Sequence, residues 1–207
     1  MAFAHAVNAY IPVAVLSPGA GGPASQQNDV SSSSRGHNEN GTTQAAGQQQ
    51  TGVEAPCIAG GQTIGQSAEN RQVANSAAVA VQGGAHNISA PVRVLSPGSE
   101  DVVSQQNNVS ANSSAENVNQ TIQAAGQTQA GTGAGGTQAI GQTAASSQAA
   151  DSAAMAAQLG AANISAPVRV LSEGGAGLAL QGNDVAASSA SQNVNALIQA
   201  AGQAQGG

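Results

Sequence analysis

IPVAVLSPG at 11–19, APVRVLSPG at 90–98 and APVRVLSEG at 166–174 are three versions of one phrase, and their spacing decides how the chain is read. Val13 and Val92 lie 79 residues apart (92 − 13), and Val92 and Val168 lie 76 apart (168 − 92). Self-similarity at so long a period marks an array of stacked supersecondary units.

Outward from the phrase, identical residue types recur in columns. Gln26, Gln105 and Gln181 align, as do Asn28, Asn107 and Asn183, then Val30, Val109 and Val185. Asn38, Asn117 and Asn193 follow, and after them Asn40, Asn119 and Asn195. Gln44, Gln123 and Gln199 form another column; Gln48, Gln127 and Gln203 the next; Gln50, Gln129 and Gln205 the last. Drift in a low-complexity chain would not hold this register.

A second module lies between the phrases. QTIGQSAENRQVANSAAVAVQGGAHNI from Gln62 matches QAIGQTAASSQAADSAAMAAQLGAANI from Gln138. Gln62 pairs with Gln138, Gln66 with Gln142, Gln72 with Gln148 and Gln82 with Gln158. The chain therefore reads A-B-A-B-A as one continuous repeat domain. Its divisions are an N-terminal extension 1–10, A1 11–50, a connection 51–61, B1 62–89, A2 90–130, a connection 131–137, B2 138–165 and A3 166–207. The two Gly-rich connections differ in length, so both are expected outside the core.

Local pattern favours strands. In APVRVLS, Val92 and Val94 point one way and Arg93 and Leu95 the other. Pro91 suits a strand start, and Pro97-Gly98 a stop. In NVNQTIQ, Val118, Gln120 and Ile122 share one face and Asn119, Thr121 and Gln123 the other. The Ser-Ala-Asn stretch 110–116 reads as a tight corner, giving three short strands in A and two in B. Ala-rich B2 carries some helix propensity, but Val73, Val79 and Val81 in B1 are β-branched and alternate. The expected class is all-β, a β-solenoid-like stack of short strands.

Stacked about 4.8 Å apart, each amide column becomes a ladder, because an amide both donates and accepts. A period of 76 is long for one coil, so A is expected to stack on B.

Composition supports a thin core and excludes several functions. Hydrophobic residues are 40% of 207, but Leu, Ile, Val and Phe are only about 16%, below the roughly 20% that marks a conventional core. There is one Phe, one Tyr and no Trp. There is no Lys, and the only cations are Arg35, Arg71, Arg93 and Arg169, so the basic footprint of a nucleic-acid binder is absent. Net charge is −6 with 7% charged residues, less than disorder generally carries. No stretch approaches about 18 consecutive apolar residues, so no membrane span is expected. The N-terminus lacks a positive signal-peptide region. Cys57 is alone and reads as a bystander thiol.

The Gln/Asn columns, with QTIGQ from Gln62 and QAIGQ from Gln138, resemble curlin-type repeats, the subunits of bacterial extracellular amyloid fibres. The VLSPG arrangement is similar to repeats in secreted proteins of high-GC actinobacteria. The period of 76 and the VRVLSPG strand depart from the curlin pattern. The resemblance implies a β-solenoid fold, extracellular or cell-surface placement and polymerisation, with other copies of the chain as partners and neither catalytic residues nor a cofactor.

No catalytic, cofactor or metal site stands out. His5, His37 and His86 have no carboxylate or thiol cluster, and no GxSxG elbow occurs. Asp29, Asn108 and Asp184 share a column that reads as a turn or ladder position rather than a calcium site. GTGAGG at 131–136 lacks the Lys of a phosphate loop. Six N-x-Ser/Thr sequons, at Asn40, Asn87, Asn108, Asn112, Asn119 and Asn163, are expected by chance in such a composition. Arg93 and Arg169 share a column with Ala14 and read as a solvated face that discourages edge pairing, or as partners for Glu100, Asp101 or Glu173. The leading expectation is a structural, non-enzymatic, self-assembling fibre or surface-layer protein with the amide columns as its ladder. An adhesin stalk is the alternative. Ice binding fits less well, because Thr43 aligns with Ile122 and Ile198 rather than with Thr. A chain that stays disordered is the third reading.

Overall fold

The computed structural model describes residues 1–51, 62–99, 102–130, 137–175 and 177–206. Its strands are β1 (Ala2–Ala4), β2 (Val7–Tyr10), β3 (Val13–Val15), β4 (Ala24–Thr51), β5 (Gln62–Gly83), β6 (His86–Ser89), β7 (Val92–Val94), β8 (Val103–Ala130), β9 (Gln138–Leu159), β10 (Ala162–Ser165), β11 (Val168–Val170) and β12 (Ala179–Gly206). The described residues are all-β. They contain no helix, and so none long and apolar enough to cross a membrane.

The strands form four three-stranded sheets, ordered β1-β5-β9, β10-β6-β2, β11-β7-β3 and β12-β8-β4. Pairing is parallel and in register, with Val13 on Val92, Val92 on Val168, Asn8 on Asn87 and Asn87 on Asn163. Parallel strands stacked in this way are consistent with a β-solenoid. The chain makes three passes, 1–51, 62–130 and 138–206, referred to below as the first, second and third layers.

Three expectations need correction. A does not stack on B: β8 lies between β4 and β12, and β5 beside β9, so like stacks on like. In-register pairing explains this, because only at offsets of 79 and 76 do the amide columns coincide. Nor are all the strands short. β8 runs 28 residues, straight through the expected corner at 110–116, leaving two strands in A rather than three. That stretch has no Gly or Pro to break it, and its Ala111, Ser113 and Ala115 are small enough to face inward, at 0%, 5% and 2% exposure. Finally, 1–10 is no extension: β1 and β2 pair with the end of β5 and with β6, continuing the B pattern into the first layer. Cys57, the core of the 51–61 connection and the GTGAGG stretch lie outside the described residues.

The chain folds as two compact units, which cut across the modules. The first comprises Met1–Arg35, Ser76–Ser114 and Ser152–Ala190, and the second Gly36–Asn75, Ala115–Asp151 and Ser191–Gly207. The first unit holds the apolar core, where Val30, Ala78, Ala80, Val109 and Ala111 pack together with Ala2, Ala4, Ala154 and Ala156 against them. Alanine supplies most of this core, as the composition requires. In the second unit the interior is chiefly amide and small: Asn117, Asn119, Thr121 and Gln123 are buried, while Val118 and Ile122 on the same strand face outward.

Candidate functional site

In the amide columns, parallel pairing brings each side chain beneath its own copy. Gln105 donates through Nε2 to Gln26 Oε1 at 2.8 Å, and Gln181 to Gln105 at 2.8 Å. Gln123 donates to Gln44 and Gln199 to Gln123, at 2.8 and 2.7 Å. Gln127 donates to Gln48 and Gln203 to Gln127, both at 3.2 Å. Between β5 and β9, Gln142 donates to Gln66 at 2.8 Å, Gln148 to Gln72 at 2.9 Å and Gln158 to Gln82 at 2.7 Å.

The Asn columns run the other way. Asn28 donates to Asn107 and Asn107 to Asn183, at 2.9 and 3.0 Å. Asn38 donates to Asn117 and Asn117 to Asn193, at 3.1 and 2.9 Å. Asn40 donates to Asn119 and Asn119 to Asn195, at 3.2 and 2.7 Å. All these Gln bonds point from a later layer to an earlier one, and all these Asn bonds from an earlier layer to a later one.

The second amide proton goes to a main-chain carbonyl of another strand, in the next layer or in the same one. Gln123 also donates to the Thr143 carbonyl at 2.9 Å, Gln127 to that of Ala139 at 3.1 Å and Gln105 to that of Ile164 at 3.2 Å. Gln66 and Gln142 reach the carbonyls of Ala124 and Ala200, each at 3.1 Å. Ladder and main-chain bonds together satisfy amides that burial would otherwise make costly. Gln105, Gln123 and Gln127 are 1%, 0% and 1% exposed, so no water competes there. Gln138 donates to the Ala204 carbonyl at 3.4 Å, while the side chain of Gln62 lies outside the described atoms.

One column is missed by the sequence reading. Asn8, Asn87 and Asn163 form a ladder at 3.0 and 2.9 Å, cross-linked to the Asn28 column. Asn8 donates to Asn28, Asn28 to Asn87, Asn87 to Asn107, Asn107 to Asn163 and Asn163 to Asn183, all between 2.8 and 3.1 Å. The signal is present in the spacing, but treating 1–10 as an extension leaves Asn8 out, and Asn87 and Asn163 stand out only as sequons.

The corner after β3, β7 and β11 is built differently. Leu16, Leu95 and Leu171 are left-handed, with φ of 53°, 51° and 49°. The following serines hold the turn: Ser17 N donates to Ser96 Oγ at 3.1 Å, Ser96 N to Ser172 Oγ at 3.0 Å, and Ser96 Oγ to the Val94 carbonyl at 3.0 Å. At Gly98 (φ +133°) a Cβ would lie 2.1 Å from the Gly19 carbonyl oxygen, so glycine is required for the corners to stack.

The arginines of this corner are a correction. Arg93 is not solvated but 5% exposed, while Val92 and Val94 are half-buried and Leu95 is exposed. Its Nη2 donates to the Gly19 carbonyl of the layer below at 2.8 Å. Arg169 donates to the carbonyls of Gly174, Gly175, Glu173 and Gly98 at 2.9, 2.6, 3.1 and 2.6 Å. Inward-facing carbonyls of the Gly-containing turn make a polar pocket for a guanidinium, which explains why the Arg side faces in. Glu173 serves through its main chain, and Glu100 and Asp101 lie outside the described residues.

Among the described residues no group of three or more His, Cys, Asp or Glu could hold a metal ion. His37 Nδ1 lies 3.3 Å from the Glu116 carboxylate, its neighbour in the column. Asn108 donates to Asp29 at 2.8 Å, and Gln106 to Asp184 at 3.1 Å, on the outer face. Comparison with known proteins finds no match, whether to a family model, a curated protein or a solved structure.

Proposed function

We propose that this chain is a structural, non-catalytic β-solenoid of alternating A and B modules that acts outside the cell and assembles with copies of itself through its Gln and Asn ladders. The polarity of those ladders carries the reading. The first layer turns Gln donors and Asn acceptors away from the second layer. The third turns away Gln acceptors and Asn donors. A third layer therefore complements the first layer of another copy, by the same bonds that join successive layers within the chain. Two first layers, or two third layers, would set donor against donor. Such a head-to-tail contact does not close on itself and yields an open filament. Extracellular placement rests on the curlin resemblance.

Electron microscopy should show filaments, and fibre diffraction a repeat near 4.8 Å along them. Monodisperse monomer at high concentration would overturn assembly. Polarity is tested with two variants. Gln26→Glu/Gln44→Glu/Gln48→Glu keeps the acceptors that the second layer uses and removes the outward donors, together with the donors to the carbonyls of Ile88, Ser67 and Thr63, so its β circular dichroism must match that of the wild type for the comparison to count. Asn183→Asp/Asn193→Asp/Asn195→Asp likewise keeps the acceptors and removes the outward donors of the third layer. Each alone should remain monomeric, and the mixture should give dimers only. Dimerisation of either variant by itself would mean face-to-face stacking.

The adhesin alternative has one observation in its favour. Val13, Val15 and Leu16, with Val168, Val170 and Leu171, are exposed aliphatics on the sheet β11-β7-β3 and at its turn. Polar replacement of these six residues should leave filaments intact; if it abolishes surface adsorption of the monomer, the stalk reading gains.

A further inference from the structure

The first unit contains a cavity of about 160 Å³ beside the Leu-Ser-Pro-Gly corner. Pro12, Pro91, Pro167 and Leu178 give it apolar walls, and Arg93 and Ser89 also line it. Arg93 is 5% exposed and Ser89 0%. Arg93 Nη1 and Ser89 Oγ are both buried without a hydrogen-bond partner. Among the described residues no carboxylate lines the cavity and no salt bridge reaches Arg93.

A buried cation without a counter-charge is costly, and proteins resolve that cost by pairing it. The same column shows what a purely structural arginine does here. Arg169 spends both Nη groups on four backbone carbonyls and leaves only its Nε buried without a partner, whereas Arg93 makes one such bond, to Gly19, and leaves a whole Nη group unused. A corner staple accounts for Arg169 and for that single bond of Arg93. It does not account for the unused Nη1, the unpaired Ser89 hydroxyl and the cavity that both residues line.

We propose that this cavity binds a small organic carboxylate, with Arg93 as its counter-ion, Ser89 as a second donor and the stacked prolines against its apolar body. A guanidinium offers a carboxylate a matched fork of donors. The size suits a body of about six non-hydrogen atoms, since an apolar cavity of about 150 Å³ accommodates benzene. Apolar walls disfavour phosphate or sulfate, whose hydration they cannot replace.

Isothermal titration calorimetry on the full chain with benzoate and butyrate, against benzamide and butyramide, tests the site. Saturable carboxylate binding at least tenfold tighter than that of the matching amide is expected. Arg93→Ala, which copies the natural Ala14 of the first layer, should abolish it. Ser89→Ala should weaken it several-fold, and Arg71→Ala, which removes an exposed cation elsewhere, should leave it unchanged. Equal affinity for the amides, tighter binding of inorganic phosphate, retention in Arg93→Ala or the absence of saturable binding up to tens of millimolar would each overturn the proposal. Should Arg93→Ala lose its β circular dichroism, the wild-type carboxylate-to-amide ratio and the Arg71→Ala control decide the matter without it.

Discussion

The long strands and the Leu-Ser-Pro-Gly corner both stack like residues on like, but by different physics. An amide is its own complement, so repeating Gln123 beneath Gln199 and above Gln44 makes a bond at every step. An arginine is not, and stacking Arg169 on Arg93 makes no direct bond between them. Each instead reaches a glycine carbonyl of the layer below, Gly98 and Gly19 respectively. In the strands identity of the column is the source of stability. In the corner identity is imposed by space, since the glycine of one layer rests on the carbonyl of another.

That contrast is broken most severely by Gly98→Ala. The new Cβ would sit 2.1 Å from the Gly19 oxygen at a φ of +133°, and both strain and backbone displacement follow. A loss of about 3 kcal/mol or more is expected in chemical denaturation, against under about 0.5 kcal/mol for Gly126→Ala, where the added carbon meets nothing. Next comes Gln123→Ala, which empties the buried centre of the ladder and takes the partner from the part-buried Gln44 acceptor, the Thr143 carbonyl and the exposed Gln199 donor. About 2 kcal/mol should be lost, whereas Gln120→Ala on the exposed face of the same strand should cost under about 0.5 kcal/mol. Equal losses at Gln123 and Gln120 would show that the ladder adds nothing beyond the backbone.

Arg169→Ala removes four bonds to carbonyls from a part-exposed site and should cost about 1–2 kcal/mol in the same assay. In the absence of ligand Arg93→Ala should cost less, because only one bond is lost and a buried charge with no counter-charge among the described residues goes with it. The smallest effect is Leu171→Gly. Leu171 is 83% exposed at a φ of 49°, so glycine relieves left-handed strain while burying nothing less, and a gain of up to about 1 kcal/mol is expected from the melting curve.

Much of the strand architecture is legible in the sequence because an in-register parallel sheet copies sequence spacing into space. Gln26, Gln105 and Gln181 can be placed together from offsets alone. The Asn8 column is equally available by that arithmetic, and is lost only when 1–10 is set apart. The corner is less legible. Val-Arg-Val alternates like any half-buried strand, and the usual preference for aliphatic burial points Val92 and Val94 inward. The carbonyl that receives Arg93 comes from a turn 74 residues earlier in the chain, and nothing local announces it. Continuous β8 is obscured for a related reason. Ser, Ala and Asn at 110–116 favour turns in isolation, and only pairing on both sides commits them to a strand.

Which residues meet was therefore decided by the sequence alone, through offsets of 79 and 76 that allow one register for the amides. Which way they face was decided by tertiary structure. A period of two distinguishes two faces of a strand but does not say which is inside. In a chain whose amides can be satisfied by their own copies, burial no longer belongs to the aliphatic face. Closing the layers brought Gln123 opposite the Thr143 carbonyl and Arg93 over the Gly19 carbonyl, and those acceptors, absent from any local stretch of sequence, turned the polar sides inward.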